Sequence, residues 1–469
     1  MMKHIFREYD IRGIFGTEIS PSFTKALGFV IGKIMLSKNA KSVSVGYDAR
    51  LSNKVLNNAL IYGLNRAGIK VYSLGLVPTP LGYFSNYAYE IDANIMITAS
   101  HNPKEYNGFK ITINKESFFA KELSDIYTEV ANHIKDFDDK IENAEYEELD
   151  IKTKYIEFLQ KEFAHLKNAN INLAIDTASG AACEVVANIL DILNIKYAHY
   201  FSEFDGEFKS HEPDPTEEEN LFAIKNELNF SNFSHHCPTP LYKNNYVKNT
   251  ATLGFGFDGD ADRIVCVLKD KIIKGDELCY LFANNIKNPK ILCEVKCSKV
   301  IFDKINELGT CSMCKTGHSN IKKAIKELNV DLAAELSGHV FFNDKYYGYD
   351  DAIYSMLRII ELYLKNPNFI DILNNLPKAY SSNEIKIKVN ESNKFNIINT
   401  YKEKIKSLNL NAKLIEIDGV RLEFENGFSL LRASNTSPYL VARFESISED
   451  KLKEINDFTF KLLDEIIKN

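Results

Sequence analysis

Three aspartates, Asp258, Asp260 and Asp262, alternate with small residues in Gly254-Phe255-Gly256-Phe257-Asp258-Gly259-Asp260-Ala261-Asp262-Arg263. In an extended segment residues two apart point the same way, so the three carboxylates can converge on one cation. Hard divalent metals take such oxygens, and Mg²⁺ completes its shell from phosphate and water. A calcium EF-hand would need Gly at loop position six and Glu at position twelve, where this chain has Arg263 and Lys269. A second stretch, Thr98-Ala99-Ser100-His101-Asn102-Pro103, offers a hydroxyl nucleophile, Ser100, able to carry a phosphoryl group, although Ser-His-Asn-Pro alone also reads as a turn. A third, Ala334-Glu335-Leu336-Ser337-Gly338-His339, mixes donors and acceptors suited to vicinal sugar hydroxyls. A fourth, Arg432-Ala433-Ser434-Asn435-Thr436-Ser437-Pro438, combines an arginine, which grips phosphate bidentately, with hydroxyls and loop amides. Lys296, His318 and the polar opening Phe6–Gly13 read as surface features when taken one at a time.

These loops need strands to hold them. Ser100 follows the apolar run Ala93–Ile97, and Pro103 stops any further ladder. In open α/β sheets ligands bind at that carboxyl edge. Apolar run, polar loop and helical pattern recur at Val43–Gly46, Leu173–Ile175 and Ile291–Val295, roughly 120–130 residues apart, the size of an independent domain. Leu27, Val30, Ile31 and Ile34 predict an amphipathic helix over Thr24–Leu36. The last hundred residues differ. A strand pattern over Glu384–Val389, a helix over Lys394–Leu408, a hairpin across Glu425-Asn426-Gly427 and a closing helix after Ser448 predict a smaller α+β domain. The expected domains are 1–150, 151–266, 267–375 and 376–469.

The chain of 469 residues is too long for one ordinary core, and 45% apolar with 12% aromatic residues is globular composition. A net charge of −7 argues against general affinity for nucleic acid or anionic membrane, so any anion site must be built locally. No secretory signal or bilayer-spanning run is legible, and eight cysteines in no regular pairing fit reduced thiols, so a cytoplasmic protein is expected. Cys293, Cys297, Cys311 and Cys314 lack the knuckle glycines of a zinc ribbon.

Together the loops resemble the α-D-phosphohexomutase superfamily, most closely its bacterial phosphomannomutase/phosphoglucomutase branch. The match runs through Tyr9-Asp10-Ile11-Arg12-Gly13, the Ser100 loop, Asn107-Gly108-Phe109-Lys110, the aspartate loop, Glu335-x-Ser337-Gly338-His339 and Arg432-x-Ser434-Asn435-Thr436. The resemblance implies a four-domain, heart-shaped α/β protein with a central cleft, three like domains and a C-terminal α+β domain. It implies phosphoserine at Ser100, which with Asp258, Asp260 and Asp262 would bind Mg²⁺. Arg12, His101, Lys110, Arg263 and His318 would serve catalysis, with Lys110 and His318 as candidates for moving the proton. Tyr9, Lys296, Glu335, Ser337, His339, Arg432, Ser434, Asn435 and Thr436 would bind substrate. The implied reaction interconverts the 1- and 6-phosphates of mannose and glucose through a hexose 1,6-bisphosphate, on small-molecule sugar phosphates, as a monomer or dimer.

A phosphoserine dianion and three carboxylates total about −5, which Mg²⁺ reduces to about −3, so nearby cations are required. Arg12, Lys110 and Arg263 could supply them. Ala261 and Ala334 replace frequent glycines of the superfamily, and His211-Glu212-Pro213-Asp214-Pro215 replaces a usual His-His-Pro-Asp-Pro. Asn229–Tyr246 reads as an insertion in which His235, His236 and Cys237 are loop residues. Ser434-Asn435-Thr436 favours the mannose/glucose branch over phosphoglucosamine mutases, which usually have Ser-Gly-Thr. A metal-dependent sugar phosphatase is the competing activity, but the haloacid dehalogenase type usually has Thr or Val at the place of Asp262.

Overall fold

The computed structural model of the chain describes residues 3–229, 237–435 and 438–468. Its contacts group into two units, Met1–Lys274 with Ser337–Phe342 and Tyr347–Leu364, and Gly275–Leu336 with Asn343–Tyr346 and Lys365–Asn469.

The first unit holds two mixed sheets. In the first, Ala93–Ile97 runs parallel to Ser42–Tyr47, which runs parallel to Lys70–Leu76. Tyr106–Ile113 returns antiparallel on Ala93–Ile97, and Ile11–Ile14 pairs antiparallel with it. The Ser100 loop is thus the turn between two central strands, as the pattern of a buried run halted by proline required. The helix over Pro21–Ser37 begins three residues before the periodic residues suggested. Ser20 accepts a hydrogen bond from the Phe23 amide at 3.1 Å, and Pro21 occupies the first turn, where its missing N–H costs nothing. Its apolar face, with Leu27 and Ile31 fully buried, gains roughly 1.5–3 kcal/mol per side chain. That helix crosses Asn53–Arg66 so closely that a Cβ on Gly63 would lie 2.1 Å from the Lys25 carbonyl oxygen.

The second sheet runs in the order Leu241–Lys243, Lys196–Tyr200, Asn172–Asp176, Leu253–Phe257, Ile264–Leu268, Lys271–Ile273. The aspartate loop is the turn from Leu253–Phe257 into its antiparallel partner Ile264–Leu268.

In the second unit, Lys290–Glu294 lies between parallel strands Thr310–Cys314 and Leu332–Ala334. Its remaining sheet is antiparallel: Val420–Phe424, Gly427–Ala433 and Tyr439–Ser446 in succession, with Ile385–Lys388 on the last. The expected hairpin at Glu425-Asn426-Gly427 is there, with Phe424 facing Gly427. Helices Lys394–Ser407 and Glu449–Lys468 cover one face of this sheet through Ile397, Tyr401, Leu462 and Leu463. No helix among the described residues is long and apolar enough to cross a membrane.

Candidate active site

Ser100 is buried with φ 50°, in the left-handed region that non-glycine residues seldom adopt. The surrounding bonds hold it there. Its amide donates to Thr98 Oγ1 at 2.8 Å, and Thr98 Oγ1 donates to Asp48 Oδ2 at 2.6 Å. Arg50 spreads its guanidinium over the loop, donating to the carbonyl oxygens of Ser100 (2.8 Å), Asn102 (2.6 Å), Pro103 (2.6 Å) and Tyr106 (3.0 Å), while its Nε meets Asp48 at 3.2 Å. The Ser100 hydroxyl donates to Asp258 Oδ2 at 2.6 Å and lies 3.1 Å from His101 Nδ1. Burial, with Arg263 and Arg12 nearby, pushes His101 well below the usual imidazole range, so its ring is neutral.

Asp258, Asp260 and Asp262 are fully buried, and one oxygen from each lies within 4.8 Å of the others. Thr79 fixes Asp260, its hydroxyl at 2.6 Å and its amide donating to the Asp260 carbonyl at 2.8 Å. The Lys110 ammonium bridges Asp260, at 2.7 Å, and Asp262. Burial would strip Lys110 of its proton, but Asp260 and Asp262 outweigh it and raise its pKa, so Lys110 stands as an ammonium. Burial and the charges of Asp260 and Asp262 push the Asp258 carboxyl well above the usual range. Asp262 goes the other way, because Lys110 and His339 overcome its burial. Asp260 Oδ1 is buried with no hydrogen-bond partner among the described residues. An orphaned carboxylate oxygen, three convergent carboxylates and a carboxyl destabilised by its neighbours fit a hard divalent cation.

Beside the aspartates, His339 Nε2 lies 3.3 Å from both Arg263 Nε and Asp262 Oδ1, and its Nδ1 lies 3.1 Å from Ser337 Oγ. Asp350, fully buried, stands 3.9 Å away. Arg12 joins the Ser100 loop from the first strand, donating to Asn102 Oδ1 at 2.6 Å and pairing with Asp10. Tyr9 precedes that strand in a half-buried turn. The first unit therefore gathers Arg12, Ser100, His101, Lys110, the three aspartates, Arg263, Ser337 and His339 around one hydroxyl.

The other expected site residues belong to the second unit. Lys296 is nearly buried and pairs with Glu384 at 2.6 Å and Glu294 at 3.4 Å. The Gly317 amide, at the head of the helix His318–Leu328, donates to Glu335 Oε1 at 2.6 Å, which brings His318 and Glu335 together. Asp418 Oδ2 accepts from Arg432 Nε at 2.9 Å and from the Thr316 amide at 3.1 Å, tying the arginine loop to the His318 loop. Ser434 and Asn435 follow Arg432 at the strand end, and Thr436, like His235 and His236, lies outside the described residues.

Four family models match this chain in order: phosphoglucomutase/phosphomannomutase alpha/beta/alpha domains I (residues 3–136), II (153–271) and III (274–380), and the C-terminal domain (384–462). The chain belongs to the phosphoglucomutase/phosphomannomutase family. It is 35% identical over 459 residues to the phosphomannomutase/phosphoglucomutase of Pseudomonas syringae pv. tomato, covering 96% of this chain and 93% of that one. It is 34% identical to the phosphoglucomutase of Neisseria gonorrhoeae, covering 97% and 95%. The crystal structure of a phosphoglucomutase/phosphomannomutase family protein from Burkholderia thailandensis superposes with a TM-score of 0.85 at 31% identity, over 99% of this chain and 98% of that one. The four-domain α/β architecture and the enzyme class, a phosphohexomutase, follow from that membership.

Several residues of this family member's site escaped the sequence reading. Arg50 sits in a polar loop that was legible as a loop, but its carbonyl partners are some fifty residues away in sequence. Thr79, Asp350, Glu384 and Asp418 carry no local signal either, since each acts through a residue brought to it by the fold. Ala261, where a glycine is frequent in the superfamily, has φ 57°, a backbone conformation that glycine adopts freely and alanine under strain.

Proposed function

We propose that this phosphohexomutase interconverts the 1- and 6-phosphates of mannose and glucose by way of phosphoserine at Ser100. The observation that carries the reading is the 2.6 Å contact of Ser100 Oγ with Asp258 at the head of three convergent carboxylates. In the resting enzyme Ser100 would carry the phosphoryl group. Ser100, Asp258, Asp260 and Asp262 would hold Mg²⁺, which, when bound, offsets the charge of the phosphoryl oxygens. Arg12, Lys110 and Arg263 surround the transferring group with positive charge and keep its oxygens oriented, and such transfers depend mostly on positioning and charge. Lys110, held protonated by Asp260 and Asp262, donates hydrogen bonds; it and His318 are our candidates for moving the proton of the sugar hydroxyl.

Glu335 and Ser337 bind sugar hydroxyls, with Tyr9, Lys296 and His339 lining the substrate. Arg432, Ser434, Asn435 and Thr436 grip the phosphate that is not being transferred. The 1,6-bisphosphate turns around and returns its other phosphate to Ser100. We take the domains as 1–150, 151–266, 267–375 and 376–469, and the eight free cysteines suit a reducing compartment such as the cytoplasm.

The test is phosphorus NMR of the protein with Mg²⁺ and mannose, glucose or glucosamine 1-phosphate, each primed with its 1,6-bisphosphate. Mannose and glucose 6-phosphates are expected. Glucosamine conversion alone would move the substrate to the amino sugar, and free phosphate alone would sink the mutase. Ser100→Ala is expected to abolish transfer with the fold intact.

A further inference from the structure

One face of the antiparallel sheet of the second unit carries both signs of charge: Glu384, Glu445 and Glu423 stand on it with Arg443, Arg432 and Arg421. Ile385 faces Ala442, so Glu384, one residue earlier, continues the register opposite Arg443. Arg443 faces Leu430, and Arg432 faces Val441. Residues two apart on a strand share a face, so Glu384, Arg443 and Arg432 stand together on the face opposite the apolar core of Leu431, Ala442 and Phe444. Leu430, on that same face, packs with Phe428 and Val295. The chain that leaves Val295 carries Lys296 to Glu384, 2.6 Å from Nζ to Oε1, and Arg443 donates to the Lys296 carbonyl at 2.5 Å. Lys296 and Arg432 are nearly buried, whereas the Glu384 side chain is 36% exposed and lies between strands rather than in one. Burial raises the Glu384 carboxyl, but Lys296, then Arg432 and Arg443, hold it below its usual range.

We propose that Glu384 is an exchangeable counter-ion of the phosphate cradle, adding to Glu294 and Asp418 in offsetting Lys296 and Arg432 while the cradle is empty and yielding its place to the substrate's phosphate. This inference rests on the reading of Arg432 as a phosphate ligand. Lys296 keeps Glu294 at 3.4 Å and Arg432 keeps Asp418 at 2.9 Å, so Glu384, the partly exposed carboxylate, can leave without stranding either cation, and the bisphosphate must let go of the cradle once per turnover in order to turn around. A carboxylate that refills the cradle lowers the cost of that release, at the expense of affinity. A Glu that merely braced the fold would, when removed, weaken phosphate binding; an exchangeable one strengthens it.

The experiment is calorimetric titration of inorganic phosphate, in metal-free buffer, into wild type, Glu384→Gln, Glu384→Asp, and Glu384→Gln combined with Arg432→Ala. Glu384→Gln is expected to bind about tenfold more tightly, the ratio that ~1.4 kcal/mol gives. Glu384→Asp returns toward wild type, and the gain vanishes in the Arg432→Ala background. In turnover, Glu384→Gln lowers KM for glucose 1-phosphate and kcat together and accumulates the 1,6-bisphosphate. Equal or weaker phosphate binding by a Glu384→Gln protein that melts like wild type overturns the counter-ion. A wild type that interconverts no hexose phosphate overturns the mutase reading instead, and the phosphate titration still decides the role of Glu384.

Discussion

Arg50→Ala is the sharpest test of how the Ser100 loop is held. The wild-type guanidinium serves four carbonyl oxygens and Asp48, and both Arg50 and Asp48 are buried. The carbonyls lie on a loop that can rehydrate, so the larger loss is the Asp48 carboxylate left without its cation. Breaking a buried pair costs about 3–5 kcal/mol. Asp48 keeps its bonds from Thr98, Asn53 and the amide of residue 50, which puts the loss at the low end, about 3 kcal/mol. For a domain of 150–250 residues that is a fall of roughly 6–12 °C in melting temperature. Turnover falls further, because Ser100 is held at φ 50° by this scaffold and a displacement of ~1 Å costs on the order of 10²-fold. Arg50→Lys separates the two effects: the charge beside Asp48 is kept and stability largely returns, while the planar fork over the carbonyls is lost and turnover stays low. Circular dichroism melts and a coupled glucose 6-phosphate assay read both. An Arg50→Ala protein with wild-type melting and turnover would refute the reasoning.

Asp258→Asn removes one of three mutually repelling buried carboxylates, so without metal it melts higher than wild type, by roughly 2–4 °C per 1 kcal/mol relieved. It also loses the ~2.7 kcal/mol that a cation at a hundredfold its Kd adds to the wild type; equal Mg²⁺-dependent shifts in EDTA-treated samples would remove Asp258 from the metal site. Gly259→Ala places a Cβ 2.7 Å from the Ser100 carbonyl oxygen and must push the serine and aspartate loops apart. We expect about 1–3 kcal/mol of destabilisation with a larger loss of turnover, and an active variant would show that the two loops need not touch. His211 lies 3.3 Å from Asp176, which outweighs burial and raises the imidazole above its ordinary 6.5. Its stabilising charge is therefore fully present below about pH 6.5 and is lost as pH rises through the raised value. Melts of wild type should fall between pH 6 and pH 9 by more than those of His211→Gln, and parallel curves would contradict this.

What was legible in the sequence was what depends on neighbours in the chain. The run Ala93–Ile97 is a strand at those residues, and the serine and aspartate loops sit where strands turn back. Boundaries were less legible where a side chain decides them, as when Ser20 caps the first long helix upstream of its apolar face. Residue types announced Ser100 and the aspartates because their chemistry is rare in that spacing. Arg50, Thr79, Glu384 and Asp418 were illegible because each gains its role from a partner at least 14 residues away, and a lone arginine or threonine in a polar loop is ordinary.

The backbone gives an independent sign that the serine and aspartate loops form one device. Among the described residues, those with positive φ that are neither Gly nor Asn are Glu90, Ser100, Lys115, Ala120, Ala178, Ser179, Phe201, Phe208 and Ala261. Ser100 and Ala261 are in the two loops themselves. Ala178 and Ser179 shape the turn whose next residues grip the aspartate loop, the Ala181 amide donating to the Gly259 carbonyl at 2.9 Å. Phe201 accepts from the Ser179 amide, and the Phe208 ring lies 5.2 Å from the Arg50 guanidinium. Such conformations cost of order 1–3 kcal/mol each and persist only where surroundings over-determine them. Six of the nine lie in the serine and aspartate loops or in segments that adjoin those loops or Arg50. This backbone supports the serine loop being held in one geometry beside Asp258, as the proposed transfer of a charged group at Ser100 requires.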